Sequence, residues 1–330
     1  MIFKSSSKRH RLIDYGILIP LEQDRITQII DCIGASNVNQ ISLAKLTRQE
    51  LLLAHNQDFV DELIGESCVK WMLKCYECIN ADGTYHRYDP KIAKYPLADL
   101  RDELLTEARG VAQGINLALE LGLSFFLGGG MHHAKSSGAA GFCPVNDIVI
   151  GIRIAQKSLA IKNAWVVDVD AHKGDGTAEM TQNDSSIVTC SIHMANAWPL
   201  DDESKRDYPS NLDIAMRAGE EALYLEKLAS SLAFLQQEYP LPDVVVVVLG
   251  ADPFELDELP STRGLMLSEQ QMLARDQMIY EFFAVRNIAM TFVMAGGYGR
   301  QVYKVYANFL NWLLHKKGLS CGNMRLAGRK

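Results

Sequence analysis

The segment that begins at Asp168 carries acidic and imidazole side chains at alternate positions. Asp168, Asp170 and His172 are each separated by one residue, and alternate side chains of an extended backbone point the same way. Two carboxylates and an imidazole suit a hard or borderline divalent cation. Taken alone, the pattern also fits an aspartate that caps a following helix and a solvated histidine. Asp252, which follows another apolar run, would complete three ligands and leave positions open for water and substrate, as catalytic zinc requires.

Two adjacent histidines follow three glycines in the segment GGGMHHA. They are His132 and His133, and the glycines allow unusual backbone angles and close approach of the main chain. Imidazoles beside a metal site can act as general base and then as general acid. Each ring would need a carboxylate on its other nitrogen, and Asp168 and Asp175 are the natural candidates.

A tyrosine, Tyr298, follows two glycines after a third apolar run. A phenol at this place could donate a hydrogen bond to a developing oxyanion. The alternative is an ordinary tyrosine of the interior or of a cavity rim.

All of these residues follow apolar runs that predict β-strands. The predicted strands are Leu123–Leu127, Ala164–Val169, Ile187–Ile192, Val244–Leu249 and Ile288–Met294. Helical periodicity is present around residues 104–119, 147–161, 225–235, 268–285 and 300–315. This alternation predicts an α/β protein with a parallel sheet that helices cover on both faces. Since such sheets place ligands beyond the carboxyl ends of their strands, we expect the chemical side chains to meet there.

Composition narrows the class of protein. The chain has 330 residues, 48% of them hydrophobic, and a net charge of −7, which disfavours a nucleic-acid partner and mildly favours a cationic ligand. Seven scattered cysteines indicate reduced thiols, and the lone pair Cys75 and Cys78 is a weak indication of zinc or redox chemistry. No apolar run reaches the length of a membrane span and no secretion signal is present, so we expect a soluble cytoplasmic protein. We expect residues 1–330 to form one domain.

Four segments resemble the histone deacetylase superfamily, which includes acetylpolyamine amidohydrolases and acetoin-utilisation proteins. They are GGGMHHAKSSGAAGFCPVND, DVDAHKGDGTAE, GADPFELDELPSTRGLMLS and MAGGYG. These segments are more similar to those of bacterial members than to those of the animal nuclear enzymes. The strong resemblance runs from His132 to Tyr298. It implies the arginase–deacetylase fold, a single three-layer αβα domain with an eight-stranded parallel sheet. It also implies hydrolysis of an acyl-amide, in acetyl-lysine or a related acylated amine, to a free amine and a short carboxylate.

The resemblance implies roles for single residues as well. Asp170, His172 and Asp252 would bind Zn²⁺, although Fe²⁺ also suits these ligands. His132 and His133 would match the tandem histidines, with His133 as the proton shuttle, and Tyr298 would hold the oxyanion. A structural K⁺ or Na⁺ would be bound beside the metal by Asp168, Asp170, His172, Ser191 and Ile192. The expected substrate contacts are Gly130, Phe142, Trp198 and Gly296.

Some features depart from the family pattern or stay open. Lys173 stands where the family often has His or Gln, and its charge could change the local potential or face away. Asp89 and Asp99 are candidates for an aspartate that grips the substrate at the rim. Substrate choice is expected to depend on the loops at 81–99 and 195–211. The sequence leaves the oligomeric state open.

The sequence has features in common with two other functions. A ureohydrolase of the arginase type would share the string Asp170-Ala171-His172, but that chemistry uses two manganese ions and a second aspartate where this chain has Gly174. A non-catalytic homologue that binds acylated ligands would lack a metal ligand or the tyrosine, and every such position is present here. Among deacylases, an acetylpolyamine or another small acyl-amide is an alternative to acetyl-lysine.

Overall fold

One sheet of eight parallel strands forms the centre of the protein. The computed structural model describes residues 1–20, 25–159, 161–201, 207–316 and 318. The strands are β1 (Ile2–Ser5), β2 (Val38–Ile41), β3 (Leu123–Phe126), β4 (Ala164–Asp168), β5 (Ile187–Met194), β6 (Leu212–Met216), β7 (Val244–Val248) and β8 (Ala289–Val293). Their order across the sheet is β2-β1-β3-β8-β7-β4-β5-β6, and every neighbouring pair is parallel. The predicted eight-stranded parallel sheet is confirmed.

Helices cover both faces of this sheet. They are α1 (Arg25–Ile33), α2 (Arg48–Leu51), α3 (Gln57–Ile64), α4 (Cys68–Cys75), α5 (Leu97–Leu121), α6 (Asp147–Ser158), α7 (Asp175–Thr181), α8 (Tyr224–Glu238), α9 (Glu269–Ala284) and α10 (Tyr303–Lys316). Short 3₁₀ segments lie at Leu12–Tyr15, Ala35–Asn37, Glu221–Leu223 and Pro260–Thr262. Within the described residues, no helix combines the length and hydropathy that a membrane crossing requires.

Strand β7 shows why the sheet has two apolar faces. It consists of five consecutive valines that are all fully buried. Val245 and Val247 pack into the cluster formed with α8, α9 and α10. Val244, Val246 and Val248 pack into the opposite cluster, which α5 and α6 complete. A strand covered on both faces needs such a continuous apolar run, since successive side chains alternate between the faces.

The five strands predicted from apolar runs are neighbours in the sheet, in the order β3, β8, β7, β4 and β5. The three that the sequence did not indicate lie towards the edges: β1, β2 and β6. No residue of β2 is buried and only one residue of β6 is, while β1 has only two apolar residues, Ile2 and Phe3. These three strands therefore lack the apolar run that the central strands carry. The chemical residues therefore follow the best-defined strands, which lie together.

Helix α5 packs closely on β3 where a glycine removes the side chain. A Cβ atom on Gly110 would lie 2.0 Å from the Cζ atom of the buried Phe126 ring. Gly110 is therefore required by packing, although glycine weakens helices.

We expect Gly110→Ala to lower the free energy of unfolding by about 1–3 kcal/mol, because the added methyl group overpacks a dense core. Urea denaturation monitored by circular dichroism measures this change. The exposed residue Glu120 of the same helix provides a control, and Glu120→Ala should change stability by less than about 0.5 kcal/mol. Alanine normally favours a helix over glycine, so a more stable Gly110→Ala protein would contradict the packing account.

Candidate active site

The acidic and imidazole side chains meet at the carboxyl edge of the central strands. Asp170 and His172 follow β4, and Asp252 follows β7, its neighbour in the sheet. His172 Nδ1 lies 3.0 Å from an Asp252 carboxylate oxygen and 3.3 Å from one of Asp170. All three residues are buried, and one ligand atom from each lies within 4.8 Å of the others. Burial of two carboxylates beside one imidazole is costly without a compensating cation, so this donor set fits a divalent metal ion.

Further hydrogen bonds orient the three ligands. The Gly296 N–H donates to Asp170 Oδ2 at 2.9 Å, and the Ala171 N–H donates to Asp252 Oδ1 at 2.9 Å. The second ring nitrogen of His172, Nε2, lies 3.2 Å from Ser261 Oγ. Partners of this kind fix ring orientation and the tautomer of a metal-ligating histidine.

Each histidine of the adjacent pair contacts its own carboxylate. His132 Nδ1 lies 2.6 Å from Asp168 Oδ2, and His133 Nδ1 lies 2.8 Å from Asp175 Oδ1. The two imidazole rings lie 3.8 Å apart, between centroids. His132 Nε2 also lies 3.7 Å from Asp170 Oδ1. The pair is therefore oriented by carboxylates and adjoins the Asp-His-Asp group.

The two imidazoles have different acidities in this site. Burial alone would lower the pKa of His132, but the carboxylates of Asp168 and Asp170 reverse the shift and raise the pKa to about 9. Burial and the neighbouring charge of His132 lower the pKa of His133 to about 4, although Asp175 opposes this change. His133 is therefore neutral at pH 7 and has the protonation state of a general base.

Tyr298 lies beside the carboxylates and is held through its backbone. Its N–H donates to Asp257 Oδ2 at 2.7 Å, and its ring meets that of Phe142 edge-on with centroids 5.9 Å apart. Burial and the charges of Asp252 and Asp170 raise the pKa of the Tyr298 phenol well above its usual value. The phenol therefore remains protonated and can act as a hydrogen-bond donor.

The expected substrate contacts line two adjoining cavities. Gly130, Phe142 and Gly296 line the cavity of about 390 Å³ that contains His132, His133 and Tyr298. Trp198 lines the second cavity instead. Its indole packs edge-on against His133 and His172, with ring centroids 4.5 and 5.8 Å apart. Both aromatic residues expected to contact substrate thus adjoin the site: Phe142 packs against Tyr298, and Trp198 packs against the imidazoles.

The positive charge of Lys173 is paired with two carboxylates inside the protein. The Lys173 side chain is buried, and its ammonium group lies 2.6 Å from Asp207 Oδ1 and 3.1 Å from Asp213 Oδ2. Two carboxylates therefore neutralise the cation that stands next to His172 in the sequence.

Of the residues expected to hold K⁺ or Na⁺, Ser191 and Ile192 lie on β5 next to Asp168 on β4. Ser191 Oγ lies 2.9 Å from His193 Nδ1. The monovalent-cation site stays a prediction.

Asp89 and Asp99, the candidates for an aspartate at the rim, are not among the described residues that line the cavity of about 390 Å³. Residues 202–206 of the expected rim loop at 195–211 lie outside the described residues. Cys75 and Cys78 are buried free thiols whose pKa values are raised, chiefly by burial. Across the described part of the chain, the group of Asp170, His172 and Asp252 is the only set of three ligand-type side chains close enough to hold a metal ion.

Several supporting residues were not predicted from the sequence. Asp257 and Ser261 lie in the loop after β7 and hold Tyr298 and His172. Asp147 accepts hydrogen bonds from the N–H groups of Gly130 and Met131. These residues act through backbone groups and single hydroxyls, which leave no spacing pattern in the sequence.

Arg275 is the least expected of the supporting residues because its charge is completely buried. Its Nη1 donates to the carbonyl oxygens of Val169 at 3.0 Å and Gly250 at 2.8 Å. Its Nε donates to Asp276 Oδ1 at 2.7 Å. Val169 immediately precedes Asp170 and Gly250 lies two residues before Asp252, so this guanidinium joins the two segments that carry the carboxylates.

We expect Arg275→Met to lower the free energy of unfolding by about 3–5 kcal/mol, because Asp276 would remain buried without its cation. Urea denaturation measures the loss. The double variant Arg275→Met with Asp276→Leu should recover part of it, since no unpaired charge remains. Arg217→Met, at an exposed arginine, is the control. A single variant as stable as the unsubstituted protein would refute the bridging role.

Comparisons with known proteins agree with this architecture. The sequence matches the family described as "Histone deacetylase domain" over residues 19–313. Histone deacetylase 2 of Arabidopsis thaliana is 27% identical over 82% of this chain and 66% of its own length. An uncharacterized protein of Picosynechococcus sp. is 30% identical over 64% of this chain and 67% of its own length. The chain thus spans about two thirds of these two relatives.

A solved structure shows the same fold. The HDA15 HD domain superposes with a TM-score of 0.68 over 97% of this chain and 93% of that chain, at 17% sequence identity. The sheet of eight parallel strands with flanking helices is the arginase–deacetylase fold. The match to the family extends over most of the sequence and contains every element that carries a site residue. The chain therefore belongs to the histone deacetylase family.

Proposed function

We propose that this protein is a zinc-dependent deacylase that hydrolyses the amide of acetyl-lysine, or of a related acylated amine, to a free amine and a short carboxylate. One observation carries the proposal: two carboxylate-oriented histidines and Tyr298 line one cavity together with Asp170, a member of the buried Asp-His-Asp group. Membership of the histone deacetylase family supports the reaction class.

The metal would be held by Asp170, His172 and Asp252. When bound, Zn²⁺ would act as a Lewis acid toward the amide carbonyl and the attacking water, and Fe²⁺ would suit the same ligands. Hydrogen bonds from the N–H groups of Ala171 and Gly296 to the two carboxylates, and the contact of Ser261 with His172, would hold these three side chains in place around the metal.

The proton transfers would be performed by His133. With its Nδ1 held by Asp175, the imidazole would accept the proton of the attacking water at Nε2. It would then return that proton to the nitrogen of the leaving amine. His132, held by Asp168, would support His133 through its adjacent ring. Trp198 packs against His133 and would limit its rotation.

Tyr298 would stabilise the oxyanion. Its phenol stays protonated, and Asp257 fixes the backbone from which it projects. A donor placed in advance at the point where negative charge develops is typically worth about 3–4 kcal/mol.

We expect Tyr298→Phe to lower kcat on an acetyl-lysine peptide by about 10²–10³-fold, because one oxyanion donor is lost. Its metal content should not change, since the tyrosine is not a ligand. A fluorogenic peptide assay and elemental analysis measure the two quantities. Tyr85→Phe, at an exposed tyrosine, is the matched control. Unchanged turnover in Tyr298→Phe would remove this residue from the mechanism.

We expect Asp170→Ala to lose both activity and bound metal, since the triad would keep only one carboxylate. Elemental analysis of the purified variant measures metal per chain. Asp201→Asn changes an exposed aspartate and should retain the full complement. If Asp170→Ala kept stoichiometric metal, the proposed ligand set would be wrong.

The structure offers no room for the second aspartate of a ureohydrolase. A Cβ atom at Gly174 would lie 2.4 Å from Asp168 Oδ2, so position 174 cannot carry a further carboxylate in this conformation. This contact supports a single-metal amide hydrolase over a binuclear one. An acetylpolyamine or another small acyl-amide would use the same residues, and kcat/KM values across acetyl-lysine peptides and acetylpolyamines rank these substrates.

A further inference from the structure

The catalytic cavity extends well beyond the reacting residues. Its volume is about 390 Å³, and it runs from His133 and Tyr298 past Met131 to Lys4 and Arg25. A terminal methyl group needs about the volume of one water molecule, roughly 30 Å³. The part of the cavity near Lys4, here called the inner cavity, is lined by Lys4, Lys8, Arg9, Arg25 and Glu107. An acetyl group would leave most of the whole cavity of about 390 Å³ unfilled.

The inner cavity carries a strong excess of positive charge. Among the residues that the structure describes, four cationic side chains line it against one carboxylate, that of Glu107. Arg9 Nη1 lies 3.8 Å from Glu107 Oε1, while Arg9 Nε is buried and has no hydrogen-bond partner within the described part of the chain. Among the described residues, Lys4 forms no ion pair. Buried donors without partners are rare in folded proteins. An anion at this end of the cavity would accept a hydrogen bond from Arg9 and form an ion pair with Lys4.

The cations act on the same point in space. Arg9, Lys4 and Arg25 line the same cavity as Glu107, and Arg9 is the cation with a direct ion pair to this carboxylate. Burial raises the pKa of Glu107, and the charges of Arg9, Lys4 and Arg25 oppose this rise. Arg25 is already committed, since its guanidinium donates to the carbonyl oxygens of Gly297 and Ala295. Of the remaining cations Lys8 is exposed, whereas Lys4 and Arg9 are half-buried, so Lys4 and Arg9 are better placed to bind an additional anion.

The fold places Lys4 near the loop after β3, which carries the glycines at 128–130 and the two histidines. Strand β1 pairs with β3, and the Leu127 N–H donates to the Phe3 carbonyl at 2.8 Å. Lys4 therefore leaves the sheet at the same edge as the glycines that precede His132. Glu107 fills the space beside Gly128, where a Cβ atom would lie 2.1 Å from Glu107 Oε1.

We propose that the substrate's acyl group ends in a second carboxylate, so that the protein cleaves monoamides of short dicarboxylic acids such as succinyl-lysine. This inference rests on the proposed function and specifies its substrate class. An acyl chain whose carbonyl lies at Tyr298 would extend into the inner cavity and bring its terminal carboxylate to Lys4 and Arg9. Water would add to the amide carbonyl, the C–N bond would break, and the products would be a free amine and a dicarboxylate.

The distribution of charge disfavours an uncharged acyl chain. An alkyl chain in the inner cavity would displace water from several cations without replacing its hydrogen bonds, which is costly. A carboxylate would supply charge-assisted hydrogen bonds in its place.

Peptides with matched acyl groups on one lysine test the proposal. We expect kcat/KM for succinyl-lysine to exceed that for 4-methylpentanoyl-lysine, its uncharged isostere, by roughly tenfold or more, as expected for hydrogen bonds to a charged group. Lys4→Met and Arg9→Met should each lower kcat/KM for the succinyl peptide by about tenfold. Both variants should leave acetyl-lysine hydrolysis within about twofold. Lys91→Met, at an exposed lysine outside the cavity, should change neither rate.

Calorimetric titration with succinate and butyrate provides a readout that does not need turnover. Succinate should bind about tenfold more tightly than butyrate, and Lys4→Met should abolish the difference. Equal binding, together with no preference for the succinyl peptide, would overturn the inference even if acetyl-lysine were cleaved well. Selective succinate binding without hydrolysis of any acyl peptide would instead contradict the proposed function and leave the anion-binding assignment standing.

Discussion

The site depends on two carboxylates, those of Asp170 and Asp252, that are buried at the edge of an apolar sheet. Ionised carboxylates in such surroundings are costly unless cations and N–H donors compensate them. The surrounding structure supplies N–H donors from the backbone at Ala171 and Gly296. A divalent cation would supply the rest. A metal site is therefore the simplest physical explanation of why these groups are buried together.

The sheet order brings the compensating groups together. Strands β3, β8, β7 and β4 are neighbours, so the histidine pair, Tyr298, Asp252 and Asp170 leave the sheet side by side. The buried guanidinium of Arg275 then joins the backbones next to the two carboxylates. Apolar packing on both faces fixes the strands, and this one buried charge joins two of the loops. The geometry of the candidate site and the stability of the fold thus depend on the same contacts.

The sequence predicted the central strands and the main site residues for a physical reason. Five long apolar runs end in glycines and chemical side chains, and parallel strands must place those ends along one edge. What the sequence did not predict depends on single contacts between distant residues. Arg275 lies in α9 with no spacing pattern that marks it, Asp257 accepts from a backbone N–H, and Lys4 lies on the four-residue strand β1. The role of Lys173 needed its partners Asp207, in a loop, and Asp213, on strand β6, both of which are distant from Lys173 in sequence.

The central claim is that one divalent cation, held by Asp170, His172 and Asp252, enables this protein to hydrolyse an acyl-amide. Titration of chelator-stripped protein with Zn²⁺, with hydrolysis of an acetyl-lysine peptide measured at each addition, tests it most directly. The account predicts that activity is absent at the start, rises in proportion to added metal and stops rising at one equivalent per chain. Full activity in the stripped protein, or a requirement for two equivalents, would contradict it.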